Sequence, residues 1–175
     1  IRRVVVALVL SVFVGVTAIA QTTPAWAAQY DVTATINVGA QADGVAFSPD
    51  GTKVYVASRG SGNVRVINTT NFNDFTDINL GGSPVALAVS PDGTKVYVAN
   101  FTSNSVSVIN TGTNAVDATI TVGDSPIDVA VSPDGTKAYV ANYNGDNVSV
   151  INTTTNAVIG GPITVGNGPY GVAVS

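Results

Sequence analysis

Beyond residue 30 the chain alternates between short apolar runs and clusters of turn-forming residues. One stretch reads "VALAVS", "KVYVAN", "SVSVIN" and "AVDATITVG", each run bounded by Gly, Pro, Asn or Asp. Runs this short, rich in Val, Ile, Tyr and Thr and punctuated this way, predict strands joined by tight turns. No part of this region carries the period of an amphipathic helix. Runs such as "GVAFS" and "ALAVS" are apolar at nearly every position, which predicts strands covered on both faces.

The pattern repeats. "SPDGTK" begins at Ser48, Ser90 and Ser132, in steps of 42 residues. The units run over 36–77, 78–119 and 120–162, and a fourth begins at 163–175. The third unit has one extra residue beside Gly160 and Gly161. Four strands per unit at a fixed period predict an all-β fold, a β-propeller of four-stranded antiparallel blades. A β-solenoid is the rival, but its coils are usually shorter. About three and a half blades are present, so two sheet faces are expected to stay open. The sequence is therefore read as part of a longer protein whose remaining blades close the ring. A half-propeller that dimerises is the alternative.

Residues 1–27 differ in kind. Arg2 and Arg3 precede an unbroken apolar run, Val4 to Ala20, and "AWA" follows at 25–27. A basic start, an apolar core and small residues at −3 and −1 predict a secretory signal peptide cleaved after Ala27. An uncleaved membrane anchor is the alternative reading. Either way the rest of the chain is expected to be exported, with the membrane involved only through this segment.

Composition narrows the chemistry. The chain has no Cys, His, Met or Glu, and all eleven acidic residues are Asp. Imidazole bases, thiol nucleophiles and Glu acids are thereby excluded, and no cofactor or metal is expected. Without residues 1–27, five basic and eleven acidic residues remain, a net charge of −6. That balance lacks the basic footprint of a nucleic-acid binder.

"VYVAS", "VYVAN" and "AYVAN", each followed by "V-x-V-I-N-T", together with "SPDGTK", resemble the YVTN-type β-propeller repeat. The resemblance covers residues 31–175 and implies an exported, often surface-associated propeller, commonly of about seven blades. The first unit departs most: Ser58 and Arg65 replace Asn and Ser, and "NFNDFTD" replaces "TNAVDAT". The outer strand of that blade is accordingly less certain.

Comparing the units with one another separates two kinds of segment. "SPDGTK" and "V-x-V-I-N-T" barely change. The second-to-third turns ("SRGSGN", "NFTSNS", "NYNGDN") and the links between blades ("GAQADG", "GGSPVA", "GDSPID", "GNGPYG") change at most positions. With strands running from inner to outer, the constant segments fall on one rim and the variable ones on the other. Repeat-specific loops on a rigid scaffold carry specificity. The candidate contacts are therefore Arg59, Phe101, Tyr143 and Asp146 from the turns, with Asp43, Asp124, Asp128 and Tyr170 from the links. Ordinary solvated loops would look the same.

The hexapeptide itself reads as a hairpin corner. Pro presets one turn position, Asp bonds its downstream backbone, Gly supplies a positive φ and Lys is expected to reach solvent. One Asp per corner is too few oxygens for a calcium site at Asp50, Asp92 or Asp134.

The expected function is an exported binding module facing a protein or glycan of the cell envelope. A lactonase- or quinoprotein-like enzyme is the alternative. Its channel would be lined by Ala46, Ala88, Ala130 and Ala173, with Asp43, Asp124 and Asp128 as mouth carboxylates. A purely structural surface-layer repeat is the third reading.

Overall fold

The computed structural model describes residues 35–175, and Val38–Ser175 form one compact unit. The predicted signal segment and its cleavage point lie outside the described residues. Blade one contains β1 (Ala42–Phe47), β2 (Lys53–Ser58), β3 (Asn63–Asn68) and β4 (Phe75–Asn79). Blade two contains β5 (Pro84–Val89), β6 (Lys95–Asn100), β7 (Ser105–Asn110) and β8 (Ala115–Thr121). Blade three contains β9 (Pro126–Val131), β10 (Lys137–Asn142), β11 (Asn147–Asn152), β12 (Ala157–Val158) and β13 (Ile163–Thr164).

Each blade is an antiparallel sheet whose strands follow chain order, β1-β2-β3-β4 in the first and β5-β6-β7-β8 in the second. The first strands β1, β5 and β9 pack beside one another, so they are the inner strands of a propeller arc. The outer strand of blade one is present despite its unusual sequence, pairing from Ile67↔Phe75 to Asn63↔Asn79. The outer edge of blade three is split. β12 pairs Ile151↔Val158 and β13 pairs Asn147↔Thr164, with the extra residue accommodated between them where Gly160 has φ +70°. Residues 165–175, the expected inner strand of a fourth blade, carry no strand.

The cores lie between blades, which explains the uniformly apolar middle strands. Tyr55, Ala57, Val64 and Val66 of blade one meet Leu87, Val96, Val98 and Ile109 of blade two. Their counterparts Tyr97, Ala99, Val106 and Val108 meet Val129, Ala138, Val140 and Ile151 of blade three. Tyr55, Ala57, Tyr97 and Ala99 are fully buried in these interfaces. The faces without a neighbour differ as the physics requires. Val45 and Phe47, the blade-one equivalents of Leu87 and Val89, are 45% and 42% exposed. At a typical 25 cal/mol per Å² of apolar surface, such faces favour a covering partner.

The SPDGTK corners are built alike. Ser48 N donates to the Lys53 carbonyl and Gly51 N to the Ser48 carbonyl, while Gly51 sits at φ +71°. Asp50 Oδ1 accepts from Ser48 Oγ (2.6 Å), Thr52 N (3.0 Å) and Thr52 Oγ1 (2.9 Å). Asp92 and Asp134 repeat the pattern. These carboxylates serve their own turns. The lysines depart from expectation. Lys53 and Lys95 do not end in solvent but bond backbone carbonyls of the following blade. A Cβ at Gly93 would lie 3.4 Å from Pro49 Cδ, so successive corners also touch.

Candidate binding rim

Backbone bonds gather the variable segments onto the rim opposite the SPDGTK corners. Arg59 N donates to the Gln41 carbonyl, Phe101 N to Ser83 and Tyr143 N to Ser125, each at 2.8 to 2.9 Å. Leu80 N and Val122 N return bonds to Gly62 and Asn104. Second-to-third turns and interblade links therefore form one continuous edge. A bulge recurs in each inner strand just inside it, between Ala42 and Gly44, Pro84 and Ala86, and Pro126 and the residue two places on. Bulges re-aim side chains at sheet ends, and the bulged residue of β1 is Asp43.

The eight candidate residues do not converge on one site. Asp43 pairs with Arg59 at 2.9 Å, with both side chains partly exposed. Tyr143 and Tyr170 meet edge to face with ring centroids 6.1 Å apart. Asp146, at φ +52°, accepts from Gly168 N at 2.8 Å. Asp128 accepts from Val129 N and from Val172 N, both at 2.9 Å. Tyr143, Asp146 and Asp128 thus hold residues 165–175 against blade three, with Tyr170 still 73% exposed. Asp124 bonds the neighbouring Ser125 Oγ at 3.1 Å. Phe101 lies in a single 3₁₀ turn, Phe101–Ser103, and packs partly on the second core. Among the described residues, no three Asp side chains cluster closely enough to hold a metal ion.

A second cluster lies across the outer strands of blade one, on the face away from blade two. Arg65 Nε donates to Asp77 Oδ1 at 2.6 Å and a terminal guanidinium nitrogen to Oδ2 at 2.5 Å, a bidentate pair across β3 and β4. The same guanidinium lies 4.1 Å from the Phe75 ring centroid. The pairing raises the Arg65 pKa and lowers that of Asp77. Arg65 and "NFNDFTD" both depart from the other units, and neither position alone shows that they are linked. The connection is the register: Arg65 faces Asp77 where blade two has Ser107 facing Thr119. Two departures at one cross-strand position are a compensated pair.

Several solved structures share this architecture. Hydrazine synthase from Kuenenia stuttgartiensis is 28% identical with a TM-score of 0.72, over 81% of this chain and 41% of that one. Virginiamycin B lyase from Staphylococcus aureus is 19% identical with a TM-score of 0.63, over 74% and 43%. The WD40 repeats of RRP9 are 13% identical with a TM-score of 0.64, over 71% and 39%. The chain thus spans about two fifths of the length of these structures. No curated protein matches it significantly. The family described as "Lactonase, 7-bladed beta-propeller" matches residues 15–115 and again 68–171. With that match running across nearly the whole sequence, the chain belongs to the lactonase seven-bladed β-propeller family.

Proposed function

We propose that this chain is part of an exported YVTN-type propeller that presents its variable rim to a protein or glycan of the cell envelope. The observation that carries this reading is the sorting of sequence by rim. Loops that differ between blades share one edge, while the constant corners share the other. Selection for a partner acts on accessible loops over a rigid frame, and this edge has that arrangement. The basic pair Arg2 and Arg3 before the apolar run Val4 to Ala20 supports export. The remaining blades complete the ring in this reading. The test is binding of the full chain to envelope fractions and to a glycan array, comparing Arg59→Ala and Tyr143→Ala with Thr113→Ala on the other rim. Weaker binding by the first two alone supports the proposal. Absence of binding, or equal loss in all three, overturns it.

The family match favours a second reading, in which the intact ring is a lactone-hydrolysing enzyme. The inner strands here offer Ala46, Ala88 and Ala130, and Asp128 already accepts two backbone bonds. The catalytic groups would then be supplied chiefly by other blades. Lactone hydrolysis by the intact ring, abolished by Asp128→Ala, is the result that would favour this reading over the binding module.

A further inference from the structure

We propose that Asn144, in the second-to-third turn of blade three, is a site of spontaneous deamidation that adds negative charge to the variable rim. The reacting groups are neighbours in the chain. Asn144 is exposed and is followed by Gly145, both in the turn that joins β10 to β11. Glycine has no Cβ to hinder the approach of its own nitrogen to the preceding side chain. The Gly145 nitrogen, on losing its proton, bonds to Asn144 Cγ, and the Cγ–Nδ2 bond breaks to release ammonia. Water then opens the resulting succinimide at either carbonyl, which leaves an aspartyl or an isoaspartyl residue. In sum an amide and a water become a carboxylic acid and ammonia.

Hydrogen bonding favours this site over the others of its kind. At the SPDGTK corners, Gly51 N, Gly93 N and Gly135 N each donate to a serine carbonyl at 2.8 Å. Their aspartates are ionised carboxylates already bonded to serine and threonine, and so are poor targets for attack. The other Asn–Gly pair is Asn167 and Gly168. Gly168 N donates to the Asp146 carboxylate at 2.8 Å, and an anionic acceptor opposes ionisation of the N–H. Gly145 N has only the neutral Asp124 carbonyl, at 3.2 Å, the long end of the hydrogen-bond range.

The pair belongs to blade three alone. Gly60 and Ser61 stand at these positions in unit one, and Thr102 and Ser103 in unit two. Gly145 is fixed by packing, since a Cβ there would lie 3.0 Å from Asn147 Nδ2 and 3.1 Å from Asp124 N. Asn144 is not fixed in this way. Its Nδ2 donates to Ser125 Oγ at 2.7 Å, a contact that Thr102 makes to Ser83 Oγ at 3.1 Å with a hydroxyl that cannot deamidate.

The product changes the rim. Ser125 Oγ donates in turn to Asp124 Oδ1 at 3.1 Å. Loss of the Asn144 donor sets a new carboxylate in competition with Asp124 for that hydroxyl, with Asp146 close by in the same turn. An isoaspartyl residue also lengthens the backbone beside Tyr143, whose N–H is tied to the Ser125 carbonyl at 2.9 Å. The inference does not rest on the rim having a partner, because the reaction is read in the protein alone.

The experiment holds the full chain in mildly alkaline buffer, folded and in urea, and follows its peptides by mass spectrometry with isoaspartyl methyl labelling. In the folded chain Asn144 should convert about tenfold faster than Asn167. In urea, where the Asp146 bond is lost, the two rates should come within about threefold of each other. Asn144→Gln should remove the isoaspartyl signal from its own peptide and leave the Asn167 rate unchanged. Conversion of Asn144 in the folded chain no faster than that of Asn167 overturns the proposal. So does conversion of Asn144 in urea alone.

Discussion

Lys53 Nζ donates to the carbonyl of Thr111, 58 residues ahead on the next blade, at 2.8 Å, and Lys95 repeats the bond to Thr153 at 2.7 Å. Thr111 and Thr153 are in turn fixed within their own blades. Thr111 Oγ1 donates to the Gly93 carbonyl at 2.7 Å, and Thr153 Oγ1 to that of Gly135 at 2.6 Å. Each SPDGTK corner is thus a latch between blades. A hydrogen bond from a charged, part-buried donor contributes about 1–2 kcal/mol after allowance for solvent. Lys53→Ala and Lys95→Ala should each lower the urea-unfolding free energy by about that amount. Lys137→Ala, whose latch would need a following blade, should change it by under about 0.5 kcal/mol.

The open face of blade three supplies a direct complement to that measurement. Ser175 occupies the place of Ser132, so residues 91–132 can be appended after it to build a further blade. In this fusion Lys137 gains a copy of Thr111. Lys137→Ala should then become destabilising by about 1–2 kcal/mol. A neutral Lys137→Ala in a folded fusion would mean that the latch is not general.

Acid should loosen the corners. The Ser132 hydroxyl, then the backbone N–H and hydroxyl of Thr136, draw the Asp134 carboxyl down from 3.8 to about 2. Asp50 and Asp92 are lowered by the corresponding serines and threonines. A carboxyl depressed in the folded state adds stability above its unfolded pKa and loses it as pH falls through the folded value. The Asp134 contribution should therefore fade between about pH 4 and pH 2. Urea midpoints measured across this window should fall less steeply for Asp134→Asn than for the parent chain.

Alkali should act on the interblade cores. Burial, reinforced by the charge of Asp92, pushes the Tyr97 phenol up to about 12, although the Thr153 hydroxyl opposes the shift. Burial raises Tyr55 as well. The unfolded phenol ionises near 10 while the folded one retains its proton. This contribution is whole below pH 10 and is lost as pH rises towards 12. Ultraviolet titration should show late-ionising tyrosine lost in Tyr97→Phe, with unfolding accompanying ionisation in the parent.

Gly44 is set by close approach. A Cβ there would lie 2.9 Å from the Val85 carbonyl oxygen and 3.0 Å from Ala86 Cα, both backbone atoms of the neighbouring inner strand. Gly44→Ala must push blades one and two apart. It should cost about 1–3 kcal/mol, measured by thermal or urea unfolding.

The blades and their strand order were legible because a 42-residue period leaves few arrangements for four short strands. The two rims followed from that order. The latches were not legible. A periodic sequence says that Lys53 and Thr111 recur, but not that a side chain bridges from one unit into the next. The expectation of a solvated lysine therefore treated each corner in isolation. The candidate rim residues lie together on the edge opposite the corners. The role of Asp128 and Asp146 in holding residues 165–175 depends on backbone N–H positions that no side-chain pattern reveals. Arg65 and Asp77 were readable as a pair only once the cross-strand register was known.

The latch also gives the array a direction. A unit carries a cationic hook for the blade ahead and a carbonyl for the blade behind, so a copied unit arrives already fitted to both neighbours. Gene duplication or deletion in whole periods preserves every junction, whereas an insertion inside a corner damages two blades together. Blade number can thus drift during evolution by recombination between near-identical repeats. The opposite edge takes no part in the lysine latches, so its loops can vary without breaking them.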